Sequence, residues 1–249
     1  MNEGVGVVGP LGGAGILLAE DDQVVALRQG FLELLDEADR ERVRQHGVDQ
    51  VFEKGQILFS QRDRHDGIFL IESGIVRSFY TAPSGREITL AYWPPGNFVG
   101  GPEIFGGGTH MWTSVAARRS SVVHLPGRGL RNLAREVPDL ALGIIDALVC
   151  KARCYSSLAQ MLGTRSLTER LAHLLLHMGK MHGVADERTG GVAVAAAFTH
   201  SEIANLIGAT RQWVTIRLNR LQDEGVLTQR RGVLVILKPG ALDGDPASS

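Results

Sequence analysis

The spacing of apolar residues changes twice along the chain. Between residue 24 and about residue 46, apolar side chains recur every three or four positions, which predicts an amphipathic helix. From about residue 51 to residue 125, short apolar runs are separated by glycine-containing turns, as in an antiparallel sandwich or barrel. The predicted strands are 57–59, 68–71, 76–80, 88–92, 115–117 and 122–125.

A long helix is predicted from 138 to 163, with Pro138 suited to its first turn. Its apolar positions alternate in spacing between three and four residues, which is the pattern of a coiled-coil seam. The predicted seam contains Ala141, Ile144, Leu148, Tyr155, Leu158 and Leu162, and it is interrupted by Lys151. Because such a face must be buried, the pattern predicts a homodimer; packing against the chain's own strands is the alternative. A further helix is expected from 168 to about 181.

Two short helices separated by Gly208 are predicted near the C-terminus. Thr199 and Glu202 have the spacing of a capping box, so the first helix is expected to begin there. Thr210 can cap the second helix. The polar face of that helix carries Arg211, Gln212, Thr215 and Asn219. Because such side chains can hydrogen-bond base edges in a major groove, the pattern predicts a DNA-binding helix-turn-helix, with an ordinary helical hairpin as the alternative.

Two apolar runs after the second helix predict a β-hairpin whose turn lies at Arg231 and Gly232. A hairpin in this position is typical of the wing of a winged helix, and Arg230 and Arg231 are expected to contact phosphates. Between residues 195 and 240 there are six basic and three acidic residues, whereas the whole chain has a net charge of −1. Positive charge is therefore concentrated where DNA would bind.

Composition excludes several other classes of protein. With 249 residues, 44% of them hydrophobic, the chain is long enough for two domains. No apolar run approaches the length of a membrane span, and the N-terminus does not resemble a secretion signal, so we expect a cytoplasmic protein with no membrane partner. Cys150 and Cys154 lie one helical turn apart and are expected to be small buried side chains; a redox or metal role is the alternative.

Six short segments point to a known family: FEKGQILF at 52–59, DGIFLIESG at 66–74, GREITL at 85–90, PGNFVG at 95–100, TERLA at 168–172 and TRQWV at 210–214. In this order and spacing they resemble the Crp/Fnr family of bacterial transcription regulators. The resemblance implies an α+β fold with an N-terminal cyclic-nucleotide-binding-type β jelly roll, a long dimerisation helix and a C-terminal winged helix-turn-helix.

The resemblance also implies a domain order. It consists of a flexible glycine-rich tail at 1–22, an effector-sensing jelly roll at 23–135, the dimerisation helix at 136–164, the winged helix-turn-helix domain at 165–239 and a C-terminal tail at 240–249. The implied protein is a homodimer that binds a palindromic operator in double-stranded DNA under the control of a small molecule. RNA polymerase is the further partner that the family implies.

The chain departs from the family at the residues that hold cyclic AMP. Gly101 stands where the cyclic-AMP-binding members have glutamate, and Met111 and Trp112 replace an arginine followed by serine or threonine. Because a buried phosphate without a cation loses its charge-assisted hydrogen bonds, we expect an effector other than cyclic AMP. Lys151 offers a cation to a small anionic effector; a lysine that reaches solvent or pairs with Asp146 is the alternative. The predicted effector-binding residues are Gly100, Gly101, Glu103, His110, Met111, Trp112, Lys151 and Tyr155.

The predicted reader helix departs from the family as well. Arg211 matches a family arginine, but Gln212 replaces an acid and Ile216 replaces a second arginine. Arg211 suits guanine, Gln212 suits adenine and Ile216 suits a thymine methyl group, so the operator should differ from the family's usual one. Phosphate contacts are expected from Thr199, His200, Ser201, Thr210, Arg230 and Arg231.

Other sensing modes fit the sequence less well. The iron-sulfur members of the family need N-terminal cysteines, and the chain has none before Cys150. The carbon-monoxide-sensing members use cysteine and histidine from the barrel to bind haem, whereas this barrel offers only His65, His110 and His124, so haem would need a different ligand set. We therefore expect no resident cofactor, no metal and no catalytic residue.

Two other functions remain as alternatives. One is a constitutive DNA-binding regulator of the same fold, whose pocket is filled by Met111 and Trp112. The other is a cupin-like metalloenzyme, because a jelly roll can house a metal; the barrel segment lacks the expected pair of histidines followed by a glutamate.

Overall fold

The computed structural model describes residues 32, 35–194, 198–230 and 233–242. The chain divides into two compact units, with the division between Leu158 and Ala159. The predicted tail at 1–22 lies outside the described residues. No described helix is both long enough and apolar enough to cross a membrane.

The described part of the first unit contains eight strands, two short helices and most of a long helix. The helices are α1 (Glu37–Gln45), α2 (Gly127–Glu136) and α3 (Pro138–Thr164). The strands are β1 (Val48–Phe52), β2 (Ile57–Phe59), β3 (Ile68–Ser73), β4 (Val76–Thr81), β5 (Glu87–Trp93), β6 (Phe98–Val99), β7 (Thr113–Ala116) and β8 (Ser120–Leu125). All six strands predicted from the sequence are confirmed, with small differences in their ends.

These strands form two antiparallel sheets, with the orders β1-β8-β3-β6 and β2-β7-β4-β5. Side chains from both sheets meet in one core. It contains Phe59, Ile71, Val76, Ala91, Trp93, Val99 and Val122. The alternation of apolar and polar residues therefore reflects a two-layered β domain, and the predicted jelly-roll class is confirmed.

A second core lies between the β3-β8 side of the domain and the helices α2 and α3. Leu130 and Leu133 of α2, and Leu140 and Ile144 of α3, pack there with strand residues such as Val123. Burying each such side chain contributes about 1.5–3 kcal/mol. The first half of α3 is therefore held on its own β domain.

Helix α1 differs from the prediction of one helix between residues 24 and 46. Asp36 has extended backbone, with φ −68° and ψ 172°, and its carboxylate accepts a hydrogen bond from Asp39 N–H at 2.8 Å. This N-cap makes a helix begin at Glu37, so the prediction of an unbroken helix through Asp36 is wrong. Residues 24–31, 33 and 34 lie outside the described part of the chain.

The second unit contains the C-terminal helices and a third sheet. Its helices are α4 (Leu167–His182), α5 (His200–Ile207) and α6 (Arg211–Asp223), and a short 3-10 turn follows at Pro239–Ala241. The strands β9 (Gly183–Asp186), β10 (Gly191–Val194), β11 (Leu227–Arg230) and β12 (Val233–Ile236) pair in the order β11-β12-β10-β9. The hairpin of β9 and β10 was not predicted, and it extends the wing into a four-stranded sheet.

Candidate nucleic-acid interface and effector region

Helix α5 begins at the predicted capping box. The Thr199 hydroxyl accepts a hydrogen bond from Glu202 N–H at 3.2 Å, and the Glu202 carboxylate accepts one from Thr199 N–H at 2.7 Å. The helix ends at Gly208, whose φ of 70° lies in the left-handed region that glycine adopts readily. The buried face is Ile203, Ala204, Leu206 and Ile207. The predicted helix, its start and its turn are confirmed.

Helix α6 presents a mixed polar surface to solvent. Its N-cap is Thr210, whose hydroxyl accepts a hydrogen bond from Trp213 N–H at 3.2 Å. The inward side chains Val214, Leu218 and Leu221 are buried, which fixes the rotation of the helix about its axis. The exposed predicted base-reading residues are Arg211, Gln212, Ile216 and Asn219. Ile216 is 62% exposed, so its side chain is available for an apolar contact.

His200 and Thr215 have a different environment from the other predicted DNA contacts. The Thr215 hydroxyl lies 2.8 Å from His200 Nδ1 and donates to the Arg211 carbonyl at 3.0 Å. These bonds join the start of α5 to the exposed face of α6. Both side chains are half-buried, so in this structure they connect the two helices of the motif.

The wing is an antiparallel hairpin in which Arg230 pairs with Val233. Arg230 is exposed at the end of β11. Arg231, the second predicted phosphate contact, lies outside the described residues together with Gly232. Ser201 is exposed near the start of α5, as is Thr210 at the start of α6. These exposed positions lie in the same unit as the predicted reader residues.

Arg170 is a positioning residue that the sequence analysis did not single out. Its guanidinium donates to the carbonyls of Leu162 at 2.6 Å, Arg165 at 2.9 Å and Ile207 at 3.1 Å. Helix ends leave such carbonyls without intrahelical partners, and a planar guanidinium can satisfy several of them at once. Arg170 thus ties the last turn of α3 to the last turn of α5. A lone arginine among the buried leucines of α4 is the sequence signal for this role.

The predicted effector residues do not all converge. Gly100, Gly101 and His110 are buried, whereas Glu103 is exposed and Met111 is 57% exposed. Met111 therefore does not fill a pocket, and that part of the constitutive alternative is wrong. The remaining members, Trp112, Lys151 and Tyr155, do come together around Trp93, which the sequence did not single out.

Lys151 is buried between α3 and the β domain. Its ammonium donates a hydrogen bond to the Phe98 carbonyl at 2.7 Å and lies 3.4 Å from the centroid of the Trp93 ring. No carboxylate of the described residues pairs with it, so neither the predicted escape to solvent nor the pairing with Asp146 occurs. Burial lowers the pKa of Lys151 to about 7, although the carbonyl and the ring face favour the charged form.

The Lys151 neighbourhood is packed with aromatic rings. The Tyr155 ring centroid lies 5.8 Å from that of Trp112 and 6.3 Å from that of Trp93. Burial raises the pKa of the Tyr155 hydroxyl. A cavity of about 560 Å³ lies beside α1 and another of about 300 Å³ beside Arg62 and Thr113, and neither is lined by a predicted effector residue.

Cys150 and Cys154 are free and buried, as predicted. Their thiols hydrogen-bond to each other, which lowers the pKa of Cys150 and raises that of Cys154, and the Lys151 charge lowers that of Cys150 further. No group of three or more histidine, cysteine or carboxylate side chains in the described ranges is arranged to hold a metal ion.

The exposed apolar face of α3 is not the predicted seam. Ile144 is 2% exposed and lies in the core with the β domain, and Leu148 packs against the same core. Ile144 is therefore covered within the protomer, where the alternative of packing on the chain's own strands occurs, whereas Leu148 is only partly covered and its place in an intersubunit seam stays a prediction. A second stripe, one position along, is exposed instead. It contains Leu142, Ile145, Val149, Ala152 and Ser156, again at alternating spacings of three and four.

Two known domain families match the chain. Residues 49–137 match the cyclic nucleotide-binding domain, and residues 169–244 match the Crp-like helix-turn-helix domain. The first match covers the β domain and α2, and the second covers α4 to the C-terminal hairpin.

Two relatives align with the chain along most of their length. The cyclic AMP receptor protein of Thermus thermophilus is 25% identical over 194 residues, which is 78% of this chain and 86% of that protein. The fumarate and nitrate reduction regulatory protein of Escherichia coli K12 is 24% identical over 190 residues, covering 76% and 75% of the two chains.

Solved structures show the same fold at lower sequence identity. A CooA mutant from Carboxydothermus hydrogenoformans superposes with a TM-score of 0.73 at 22% identity, covering 86% of this chain and 94% of that one. The c-di-GMP-responsive global regulator CLP of Xanthomonas campestris gives a TM-score of 0.72 at 20% identity, covering 81% and 99%.

Proposed function

Because the chain belongs to the Crp/Fnr family of transcription regulators, we propose that it is a homodimer that recognises a palindromic operator and responds to a small molecule other than cyclic AMP. The proposal that the protein binds DNA rests on the exposed surface of α6. Its buried residues fix its rotation, and Arg211, Gln212, Ile216 and Asn219 are thereby presented together to solvent.

Each exposed residue of α6 suits one kind of base contact. Arg211 can make paired hydrogen bonds to guanine, and Gln212 can do so to adenine. Ile216 has no polar group and would contact a thymine methyl, which also accounts for its exposure. Asn219 lies further along the same face. In this proposal Thr199, Ser201, Thr210, Arg230 and Arg231 contact phosphates, while His200 and Thr215 position the two helices.

The exposed stripe of α3 is the proposed dimer contact. Leu142, Ile145 and Val149 are 56%, 54% and 45% exposed, and large apolar side chains rarely share one exposed helix face without a partner. Their alternating spacing suits packing against an identical helix. A twofold axis along this seam would give a dimer two copies of α6, the number that a palindromic operator with two half-sites requires.

The effector is proposed to differ from cyclic AMP. Gly101, Met111 and Trp112 supply no cation for a cyclic phosphate, and Met111 is exposed. The amino group available to an anion is that of Lys151, at present hydrogen-bonded to a backbone carbonyl. A constitutive regulator is the second candidate, because Trp93, Trp112 and Tyr155 pack around Lys151.

The wider organisation follows the family. We assign 23–135 to the sensing domain, 136–164 to the dimerisation helix and 165–239 to DNA binding, with tails at 1–22 and 240–249. The proposed location is the cytoplasm, and RNA polymerase is the proposed further partner.

The test compares a base contact with a phosphate contact. Arg211→Ala should cost ~1–3 kcal/mol on the operator and relax the preference at one guanine, because a bidentate base contact carries specificity. Arg230→Ala should weaken binding to specific and to random DNA equally. It should also reduce the slope of log affinity against log salt concentration by about one unit, because one phosphate contact is lost. Fluorescence anisotropy at several salt concentrations measures both effects. Arg86→Ala, an exposed change in the turn between β4 and β5, is the matched control. Equal losses on both DNAs for Arg211→Ala would contradict the assignment of α6.

A further inference from the structure

Two buried histidines lie against each other in the β domain. His65 is 1% exposed and His110 is 4% exposed, and their ring centroids are 4.3 Å apart. His110 also stacks on Phe59, with a centroid separation of 3.8 Å. Histidine is the side chain whose ordinary pKa lies nearest physiological pH, so a buried pair is a candidate for a response to protons.

One hydrogen bond determines the protonation state of His65. Its Nε2 accepts a hydrogen bond from Gly101 N–H, so in the neutral ring the hydrogen must be on Nδ1. Nδ1 of His65 is buried without a hydrogen-bond partner among the described residues, as is Nδ1 of His110. Because Nδ1 of His65 carries a hydrogen in this state, it cannot serve as a metal ligand.

The histidines anchor a glycine-rich loop between β6 and β7. Gly107 N–H donates to the His65 carbonyl at 3.2 Å, and His65 N–H donates to the Gly108 carbonyl at 3.1 Å. His110 N–H donates to the Asp63 carbonyl at 2.9 Å. The loop contains five glycines with positive φ: Gly100, Gly101, Gly106, Gly107 and Gly108. Ile104 and Phe105 pack into the core with α2 and α3, so these bonds hold the rest of the loop, and segments with few buried side chains open locally at small free-energy cost.

Nearby charges both raise and lower the pKa values of the two histidines. For His65, burial is the largest effect and lowers the pKa, His124 lowers it further, and the carboxylates of Glu103 and Asp66 raise it. For His110, burial and then His65 lower the pKa, while Asp63 and Glu103 raise it. Burial prevails at both rings, and the pKa of His110 falls to about 4.

We propose that the His65–His110 pair is an acid-sensing site that opens the loop from Gly100 to Thr109. Protonation of His65 would place an N–H on Nε2, facing the N–H of Gly101. Because two donors cannot hydrogen-bond to each other, this contact would break. An opened loop returns both rings to solvent, where imidazolium is stable. Acid therefore favours the open loop, and the pH range in which the loop opens lies below the ordinary histidine pKa of 6.5.

Hydrogen exchange of the loop amides tests this proposal. Protection factors of residues 101–109, corrected for intrinsic exchange, should fall about tenfold or more in the wild type between pH 7.5 and pH 5.0. His65→Gln keeps an acceptor near the position of Nε2 and cannot titrate, so its loop should stay protected. His46→Gln changes an exposed histidine of the same unit and should behave as the wild type.

Two results would overturn the proposal: unchanged protection in the wild type, or the same loss in His65→Gln. Should His65→Gln fail to fold, NMR titration of the wild type decides instead. The chemical shifts of the Gly101 amide and the His65 ring should then change together with pH, with a midpoint below pH 6.5. A Gly101 amide shift that does not change as His65 is protonated would contradict the proposal. These measurements involve no DNA, so their failure would leave the proposed regulator function untouched.

Discussion

At the scale of single residues, Lys151 has surroundings unlike those of most lysines. Its amino group meets a carbonyl and two aromatic faces, those of Trp93 and Phe98. Burial lowers its pKa from the ordinary 10.5 to about 7. Between these two values the unfolded chain binds a proton that the folded chain does not. Folded stability should therefore rise with pH from about 7 to 10.5, and this contribution is lost as the pH falls back through 7.

Lys151→Met keeps an unbranched apolar stem as far as Cε and removes the amino group that titrates. We expect the wild type to gain roughly 1 kcal/mol of unfolding free energy per pH unit relative to Lys151→Met between pH 7 and 9. Urea unfolding at pH 7, 8 and 9 measures the difference. Lys54→Met removes an exposed lysine and should keep the wild-type pH dependence. An identical pH dependence in the wild type and Lys151→Met would show that Lys151 titrates normally.

Single residues also show which features of the candidate site can be predicted from the sequence. The capping box of Thr199 and Glu202 and the turn at Gly208 are local chemistry, and they were predicted correctly from residues at most nine positions apart. The partners of Lys151 are different, because Trp93 and Phe98 lie more than fifty positions away and only the fold brings them near. Gly101 and His65, which are 36 positions apart, are likewise brought together only by the fold.

At the scale of elements, α3 shows how a correct helix can be assigned the wrong face. Two stripes with the same alternating spacing run along it, one through Ile144 and Leu148 and the other through Ile145 and Val149. Periodicity does not distinguish them; burial by the β domain does. Short elements escaped prediction for a related reason. Strand β6 has only two residues, and β1, with the sequence VDQVF, lacks a clear alternation.

The two stripes make a matched pair of variants. Ile145→Asp places a charge on the exposed stripe, so it should leave the folding of a protomer within about 0.5 kcal/mol of the wild type yet dissociate the dimer. Leu148→Asp buries a charge inside the protomer and should cost several kcal/mol of unfolding free energy. Sedimentation at micromolar concentration, together with urea unfolding, separates the outcomes. A dimeric Ile145→Asp would place the interface elsewhere.

At the scale of the whole molecule, the family fold is kept while the residues that would recognise a cyclic nucleotide are replaced. Residues 49–137 match the cyclic nucleotide-binding domain, and the two sheets and their shared core are present. Gly101, Met111 and Trp112 stand where the resemblance implies the nucleotide-holding residues. A family fold therefore predicts where an effector would bind and how the units are ordered along the chain, but the chemistry of the ligand depends on the residues at that place.

Cyclic AMP should accordingly have no effect on this protein. Trp112 packs with Tyr155, and the predicted counter-charge, Lys151, is hydrogen-bonded to the Phe98 carbonyl. A cyclic phosphate would have to enter without the charge-assisted bonds that offset its desolvation. We expect no heat of binding in calorimetry with micromolar protein and millimolar cyclic AMP, and unchanged operator affinity.

If a different small anion binds, Lys151→Met should retain the dimer and abolish the effect of that anion on operator affinity. Tight cyclic AMP binding that survives Lys151→Met would contradict this account, and nanomolar operator affinity without any ligand would favour the constitutive regulator.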